Sequence, residues 1–446
     1  MSEEKQPRKA SSVRHTRAIQ RDHTKHSITA PTAEQIQERL TEIVHPATLA
    51  QMDYFRSLGL RERTLNLVVM VAFVLEMIWR QIGGVNELVR LIQTESMLWA
   101  SPRKVSQQAL SQRLISIPSD LFLKILLSIL ALMQKRWAER KRPLPPEIAW
   151  AQEHYSEVEL VDGSTLDALI RKLGLLKDSP QNPLAGRMTC LLNLCSRLPS
   201  QIWYESDPKA HDQRFWPQIL EVLKAKSLLI FDMGYINFEI FAKLTLAHVK
   251  FITRAKSNLV YSFECALIKT ATVRDSLVWI GTEDSRQLVR LVEVLYGKTW
   301  YRYLSNELDA EHLPTAYLVA LYWQRWRIED AYAIVKRLLG LAYFWCGAQN
   351  AVEIQVWATW LLYAVLVDLT DSVAEALNQP FAAISIEMVY RSLYFFTQAH
   401  QRGQADDVVA YLAANSKLLG IVKRKRKTAR PAPFEQFPAL TEHLLP

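Results

Sequence analysis

A chain of 446 residues, 49% of them hydrophobic, can bury a sizeable core and has the length of two or three domains. Its net charge of +9 and pI near 9.2 favour a polyanionic partner, although a generic basic protein has the same balance. The cysteines, at 190, 195, 265 and 346, form no CxxC and no Cys/His cluster of zinc spacing, which argues against a zinc finger and for reduced thiols in the cytosol.

Residues 1–31 are polar, rich in Lys, Arg, His, Ser and Thr, and read as a disordered basic arm. An arm that settles on phosphates and a solubilising tail have the same composition. The stretch lacks the apolar segment of a secretory signal. The longest apolar runs, 67–75, 125–133 and 356–367, are too short to span a bilayer, so no membrane segment is expected.

Residues 32–146 read as helical. TAEQIQERLTEIV has a start signal and periodic apolar positions, and Leu65 to Trp79 is apolar nearly all round. After Gly83-Gly84 come VNELVRLIQ and then VSQQALSQRL, with Gln107, Gln108, Ser111, Gln112 and Arg113 on a polar face. This pattern suits a helix-turn-helix-like reader of a major groove, and equally an ordinary helical bundle. KRWAERKRPLPP, residues 135–146, reads as a basic hinge.

From 155 the texture changes to strands. YSEVELVDGST ends a strand at Asp162, and RMTCLLNLCS and PSQIWYES are two further strands. HDQRFWPQILEVLKAK reads as a helix. SLLIFDMGY then gives a continuous apolar run ending at Asp232, as a strand buried on both faces requires. NFEIFAKLTLAH follows as a helix and KFITRAKSN as a strand, on which Arg254 and Lys256 alternate. Residues 257–312 hold four strand-like pieces, read as a β-rich insertion. Near their end stands Trp300, by its residue type most often a core aromatic.

Residues 313–340, LPTAYLVALYWQRWRIEDAYAIVKRLLG, read as one long helix. Tyr322, Arg325, Glu329 and Lys336 fall within an arc of about 60°, and Asp330 points about 100° away from Glu329. An ion-pair ladder on a solvated face accounts for such a line. A carboxylate metal ligand with cationic neighbours that hold phosphates accounts for it too, and Trp323 and Trp326 crowd the same turns. Beyond lies a very apolar helix, EIQVWATWLLYAVLVDL, read as core or subunit interface. The region 351–446 ends in a basic run at 423–430, KRKRKTAR.

The pattern Y-x2-R-x3-E-x6-K, here Tyr322, Arg325, Glu329 and Lys336, resembles without departure the signature of DDE transposases of the insertion-sequence-four family. The resemblance implies a ribonuclease H-like catalytic domain in which two aspartates and the glutamate bind two Mg²⁺ ions, with Mn²⁺ as a substitute. Asp162 and Asp232, at the ends of neighbouring strands, are the aspartates, and Glu329 completes the set. Arg325, Lys336 and Tyr322 would grip the flanking phosphate, Arg254 and Lys256 would contact the DNA backbone, and Trp300 would stack on a flipped base. The implied partners are double-stranded DNA, as element ends and target, and a second copy of the chain on paired ends. The implied setting is the cytoplasm of a prokaryotic-type cell, at the nucleoid.

The expected fold class is α/β: a ribonuclease H-like mixed sheet with flanking helices and a β-rich insertion, preceded by an all-α N-terminal domain. The catalytic domain is expected over 147–256 and 313–350, split by the insertion 257–312. The expected function is Mg²⁺-dependent DNA cleavage and strand transfer. A catalytically silent DNA-binding derivative and a nuclease without strand transfer are the alternatives.

Overall fold

The computed structural model describes residues 34–166, 186–207, 209–282, 285–341, 344–346 and 348–423. The expected arm at 1–31 and the basic run after Lys423 lie outside the described residues.

Helices come first: α1 (Glu34–Leu49), α2 (Met52–Ser57), α3 (Leu67–Trp79), α4 (Val85–Thr94), α5 (Gln107–Ser116), α6 (Asp120–Glu139) and α7 (Pro146–His154). Asn66 caps α3 by accepting from the Val69 amide, and Ser106 caps α5 by accepting from that of Ala109. Strands follow: β1 (Val158–Thr165), β2 (Arg187–Asn193) and β3 (Pro199–Glu205). After a 3₁₀ turn at Asp212–Phe215 come α8 (Trp216–Val222), β4 (Leu228–Phe231), α9 (Phe238–Leu246) and β5 (Lys250–Arg254).

The expected insertion is four more strands: β6 (Ser262–Lys269), β7 (Val273–Ile280), β8 (Gln287–Tyr296) and β9 (Thr299–Ser305). They are not a separate body. β9 pairs antiparallel with β5, and one sheet of nine strands runs β3-β2-β1-β4-β5-β9-β8-β7-β6. Within it β1, β4 and β5 are parallel, so their C-terminal ends share one edge.

Alternation sets the layers. Leu228 and Ile230 of β4 face one core, and Leu229 and Phe231 face the other. Trp216 and Phe241, from α8 and α9, close the second core. The first is closed by the N-terminal helices together with the C-terminal ones, α10 (Thr315–Trp323), α11 (Trp326–Ala333), α12 (Gln349–Ala376), α13 (Ile386–Gln401) and α14 (Val408–Ala414).

Among the described residues α12 is the one helix long and apolar enough to cross a membrane, longer than the apolar runs in the sequence implied. Its most apolar window is 94% buried inside the protein, the pattern of a core helix. The helices before β1 pack around it, so the residues on either side of the sheet region form a single helical layer. Arg39 meets Asp368 at 3.0 Å, and Arg140 meets Asp371 at 3.0 Å. Arg142 also pairs with Asp371, so the basic stretch read as a hinge is pinned to α12.

The expected single helix over 313–340 is broken. α10 ends at Trp323, α11 starts at Trp326, and a π turn spans Ile334–Leu338. Two side chains at the break leave for different elements. Gln324 donates to Glu147 of α7 at 2.5 Å, and Arg325 reaches Asp162 of β1. Backbone bonds from Arg325 to Tyr322 and from Ile328 to Arg325 tighten the turn locally.

Candidate active site

Asp162 stands where β1 loses its partner β4: the parallel register ends at Val161 and Phe231. Asp232 follows Phe231 directly and opens a 3₁₀ turn. Asp162 and Asp232 thus stand where two adjacent parallel strands part, Asp232 past the end of β4 but Asp162 still inside β1, not at its end as expected. β1 itself runs three residues further, to Thr165, because β2 continues to pair with it.

Glu329 lies in the first turn of α11. Arg325 joins it to the sheet, donating from Nη2 to Glu329 Oε1 at 3.0 Å and from Nη1 to Asp162 Oδ2 at 3.3 Å. Arg325 is buried, while the Glu329 carboxylate is partly exposed. Tyr322 is buried against the ring of Tyr303 at 5.1 Å, and its hydroxyl lies 3.5 Å from Asp232 Oδ1, a long and weak contact. Lys336, on the π turn, donates to Ser164 Oγ at 2.5 Å and to the Thr165 carbonyl at 2.6 Å. The four signature residues therefore converge on the ends of β1 and β4.

Burial, and after it the charges of Asp212 and Asp232, push the Asp162 carboxyl up to about 6. Arg325 and the Gly163 amide work against that rise. Hard carboxylate oxygens suit Mg²⁺, and this position already accepts a cation in the form of Arg325. Among the described residues no three His, Cys, Asp or Glu side chains converge as closely as metal ligands do. Arg325 bridges two of the carboxylates, bonding Asp162 through Nη1 and Glu329 through Nη2.

Other expected contacts are placed less simply. Arg254 ends β5, half-buried, with its guanidinium 5.7 Å from the Tyr301 ring centre. Lys256 is exposed but lies past the strand end, so the two do not alternate on one strand face. Trp300 is half-buried in β9, with Arg274 over its ring at 4.4 Å. Tyr303 pairs with Arg254, so Trp300 sits roughly 10 Å further along β9, beyond the aspartate edge. On α5, Gln107, Gln108 and Gln112 are exposed, whereas Ser111 is half-buried. Arg113 donates to the Leu65 carbonyl at 2.8 Å and lies over Phe55. α4 and α5 are linked by residues 95–106, longer than the turn of about three or four residues in a helix-turn-helix.

Three supports were missed in the sequence. The Tyr332 hydroxyl donates to the Asp162 carbonyl at 2.7 Å and accepts from the Cys190 amide at 3.0 Å, docking α11 on the β1–β2 pair. Its helical spacing from Arg325 and Glu329 was the available signal. Arg187 donates from Nε to Asp212 Oδ1 at 2.9 Å, and that carboxylate lies against Gly163 and Gly234, one and two residues after the two aspartates. Arg290 is fully buried with Asp275 and also donates to the Leu313 carbonyl and Thr315 Oγ1, at 2.5 and 3.2 Å. The outer strands thereby fix the start of α10.

Residues 186–365 match the family model described as transposase DDE domain. The match holds Asp232 and all four signature residues, and it begins after the strand that carries Asp162. Three proteins with provisional transposase names are similar over part of the chain. The one for insertion sequence element IS5377 of Geobacillus stearothermophilus is 23% identical over 170 residues, which are 37% of this chain and 45% of that protein. Transposase y4zB of Sinorhizobium fredii is 26% identical over 152 residues, 32% of this chain and 43% of that one. The one for element IS4SA of Synechocystis is 21% identical over 180 residues, 39% and 50% of the two. The chain spans about half the length of the curated relatives it matches. With the signature on α10, α11 and the π turn, these matches make the chain similar to insertion-sequence DDE transposases of the insertion-sequence-four type.

Proposed function

We propose that the protein is a transposase that binds the ends of an insertion element and performs Mg²⁺-dependent cleavage and strand transfer, in cut-and-paste fashion. The observation that carries this reading is the convergence of Asp162, Asp232, Arg325 and Glu329 at one sheet edge. Asp162, Asp232 and Glu329 would hold the metal. Two Mg²⁺ ions, or Mn²⁺ in their place, would supply Lewis-acid stabilisation of the attacking and leaving oxygens.

The chain's own residues do the positioning. Arg325 and Lys336 bring two cations to the carboxylate edge and would grip the phosphate beside the scissile one, with Tyr322 behind them. Arg254, at the same edge, adds a backbone contact, and Trp300 a stacking surface beyond it. For Glu329 to join Asp162 on a shared ligand, Arg325 must leave the carboxylates, and an incoming phosphate is the partner that draws it away. Water then attacks phosphorus and frees a 3′-hydroxyl. That hydroxyl attacks a target phosphodiester in line, and no covalent enzyme intermediate is required. The exposed glutamines of α5 are offered for end recognition. A homodimer would pair the two ends at the nucleoid.

The test is a duplex carrying the inverted repeats that flank the coding region, incubated with supercoiled target and Mg²⁺. Release of a 3′-hydroxyl that joins the target supports transposition. Cleavage without joining points to a nuclease, and binding without cleavage to a silent derivative.

A further inference from the structure

On the opposite side of α11 lies a second charged site. Arg197, Arg327, Arg337 and Lys423 line a cavity of about 230 Å³ together with Asp330 and Glu387. Asp330 pairs with Arg327 at 3.3 Å, and Glu387 pairs with Arg391 at 2.7 Å. Four cationic side chains against two carboxylates leave the lining with positive charge in excess.

Arg197 is the unusual member. It is 8% exposed, yet no carboxylate lies within ion-pair distance of it among the described residues. Burial first, and Arg327 second, push its guanidinium down to about 9. Its backbone is in the left-handed region at φ 63°, which an arginine adopts at a cost. The loop is nonetheless locked. Asn193 Oδ1 accepts from the Cys195 and Ser196 amides at 3.1 and 3.0 Å, and the Tyr363 hydroxyl donates to the Arg197 carbonyl at 2.9 Å. A rigid loop thus holds a buried, unpaired guanidinium at a cavity wall shared with three further cations. An isolated buried charge is costly unless something of opposite sign completes it.

We propose that this cavity binds a phosphate group, separately from the carboxylate site. Guanidinium forks match phosphate oxygens, and Arg197, which no carboxylate among the described residues engages, lines this small cavity beside the further positive charge of Arg327 and Arg337. A backbone phosphate of DNA and a free phosphate anion share this chemistry. Lys423 opens the basic run 423–430, which favours DNA. The inference stands on this cavity alone and does not depend on catalysis.

The experiment uses the full chain, as wild type, Arg197→Met and Arg337→Gln. Thermal unfolding is followed in sodium phosphate and in sodium chloride of equal ionic strength, and duplex DNA binding is followed against salt. Wild type should gain about 1–2 °C at tenfold excess of phosphate over its dissociation constant. Arg197→Met should lose that gain and melt no lower than wild type in chloride, because it removes an unpaired buried charge. Arg337→Gln should weaken the gain. If DNA supplies the phosphate, the slope of log affinity against log salt falls by about 0.9 in each variant. An unchanged slope with the gain lost assigns the cavity to a free anion. An equal gain in all three proteins overturns the proposal, as does neither gain nor slope change. A large loss of melting temperature for Arg197→Met in chloride overturns it too, since the guanidinium would then be satisfied within the fold.

Discussion

Nη1 of Arg325 lies 3.3 Å from Oδ2 of Asp162, so the cation of the signature helix rests on the first aspartate of the sheet. The same guanidinium bonds Glu329. In the proposed site Arg325 would therefore compete with a metal ion for two of the three carboxylates. Arg325→Ala should bind Mg²⁺ in the absence of DNA several-fold more tightly than wild type, and should lose cleavage at least tenfold through lost phosphate positioning. Calorimetric Mg²⁺ titration reads the first effect, and Trp326, stacked on Arg325 at 5.2 Å, offers a fluorescence signal for it. Weaker Mg²⁺ binding in the variant would show that Arg325 assembles the metal ligands and does not compete with the ion.

Gly163 has no room for a side chain. A Cβ there would overlap Asp212 Oδ1 and meet Arg187 Nη2 at 2.9 Å. Asp212 cannot swing away cheaply, because Arg187 holds it. Gly163→Ala should cost about 1–3 kcal/mol and reduce cleavage by moving Asp162. Adding Asp212→Gly should return part of both, giving a coupling energy above about 0.5 kcal/mol in urea denaturation. Strict additivity would mean that the alanine is accommodated by the backbone instead.

Much of this was legible because it is local. Asp232 follows the apolar strand β4 and Asp162 follows Leu160-Val161, and such breaks in a hydrophobic run are visible in the sequence, although β1 continues past Asp162 to Thr165. The signature residues are close in sequence, so they stay near one another even though the helix breaks after Trp323 and ends in a π turn. What was hidden depends on contacts across the chain. The helix at 313–340 breaks because Gln324 and Arg325 seek carboxylates on α7 and β1, neither of which is visible in the helix's own periodicity. The insertion read as separate joins the main sheet through three residue pairs, Ile252–Ser305, Thr253–Leu304 and Arg254–Tyr303. Nothing in the alternation of β9 says which strand it will pair with. Arg113, a reasonable base reader by residue type, is taken by Leu65 and Phe55, 48 residues away in the first case.

Glu159 is buried to 1% exposure on β1, and burial pushes its carboxyl up to about 8. Oε1 accepts from Ser200 at 2.8 Å and from Asn193 at 3.3 Å, whereas Oε2 has no partner. The folded pKa is raised, so the protonated form stabilises the fold, and that stability is lost as pH rises from about 4.5 through about 8. Glu159→Gln keeps the acceptor and does not titrate. Its stability advantage over wild type should open across that window and level off above it, at on the order of a few kcal/mol. Urea midpoints at pH 5 and pH 9 measure it. A gap that is equal at both would mean Glu159 stays neutral or is paired when charged.

The last prediction separates chemistry from binding. Asp162→Ala, Asp232→Ala and Glu329→Ala should each abolish Mg²⁺-dependent cleavage of a labelled element end and leave end binding within about threefold. Metal ligands act on the reacting phosphate, whereas affinity comes mainly from Lys, Arg and base contacts elsewhere. Asp330→Ala is the control. It is next to Glu329 in sequence, but its carboxylate is turned to Arg327 and the cavity behind α11, away from Asp162. It should retain most cleavage. Lys336→Ala should fall between, because it frees the end of β1 at Ser164 and Thr165 without removing a ligand. A dead Asp330→Ala beside an active Glu329→Ala would reverse the face of α11 that does chemistry, and the phosphate cavity would then be the place to look for it.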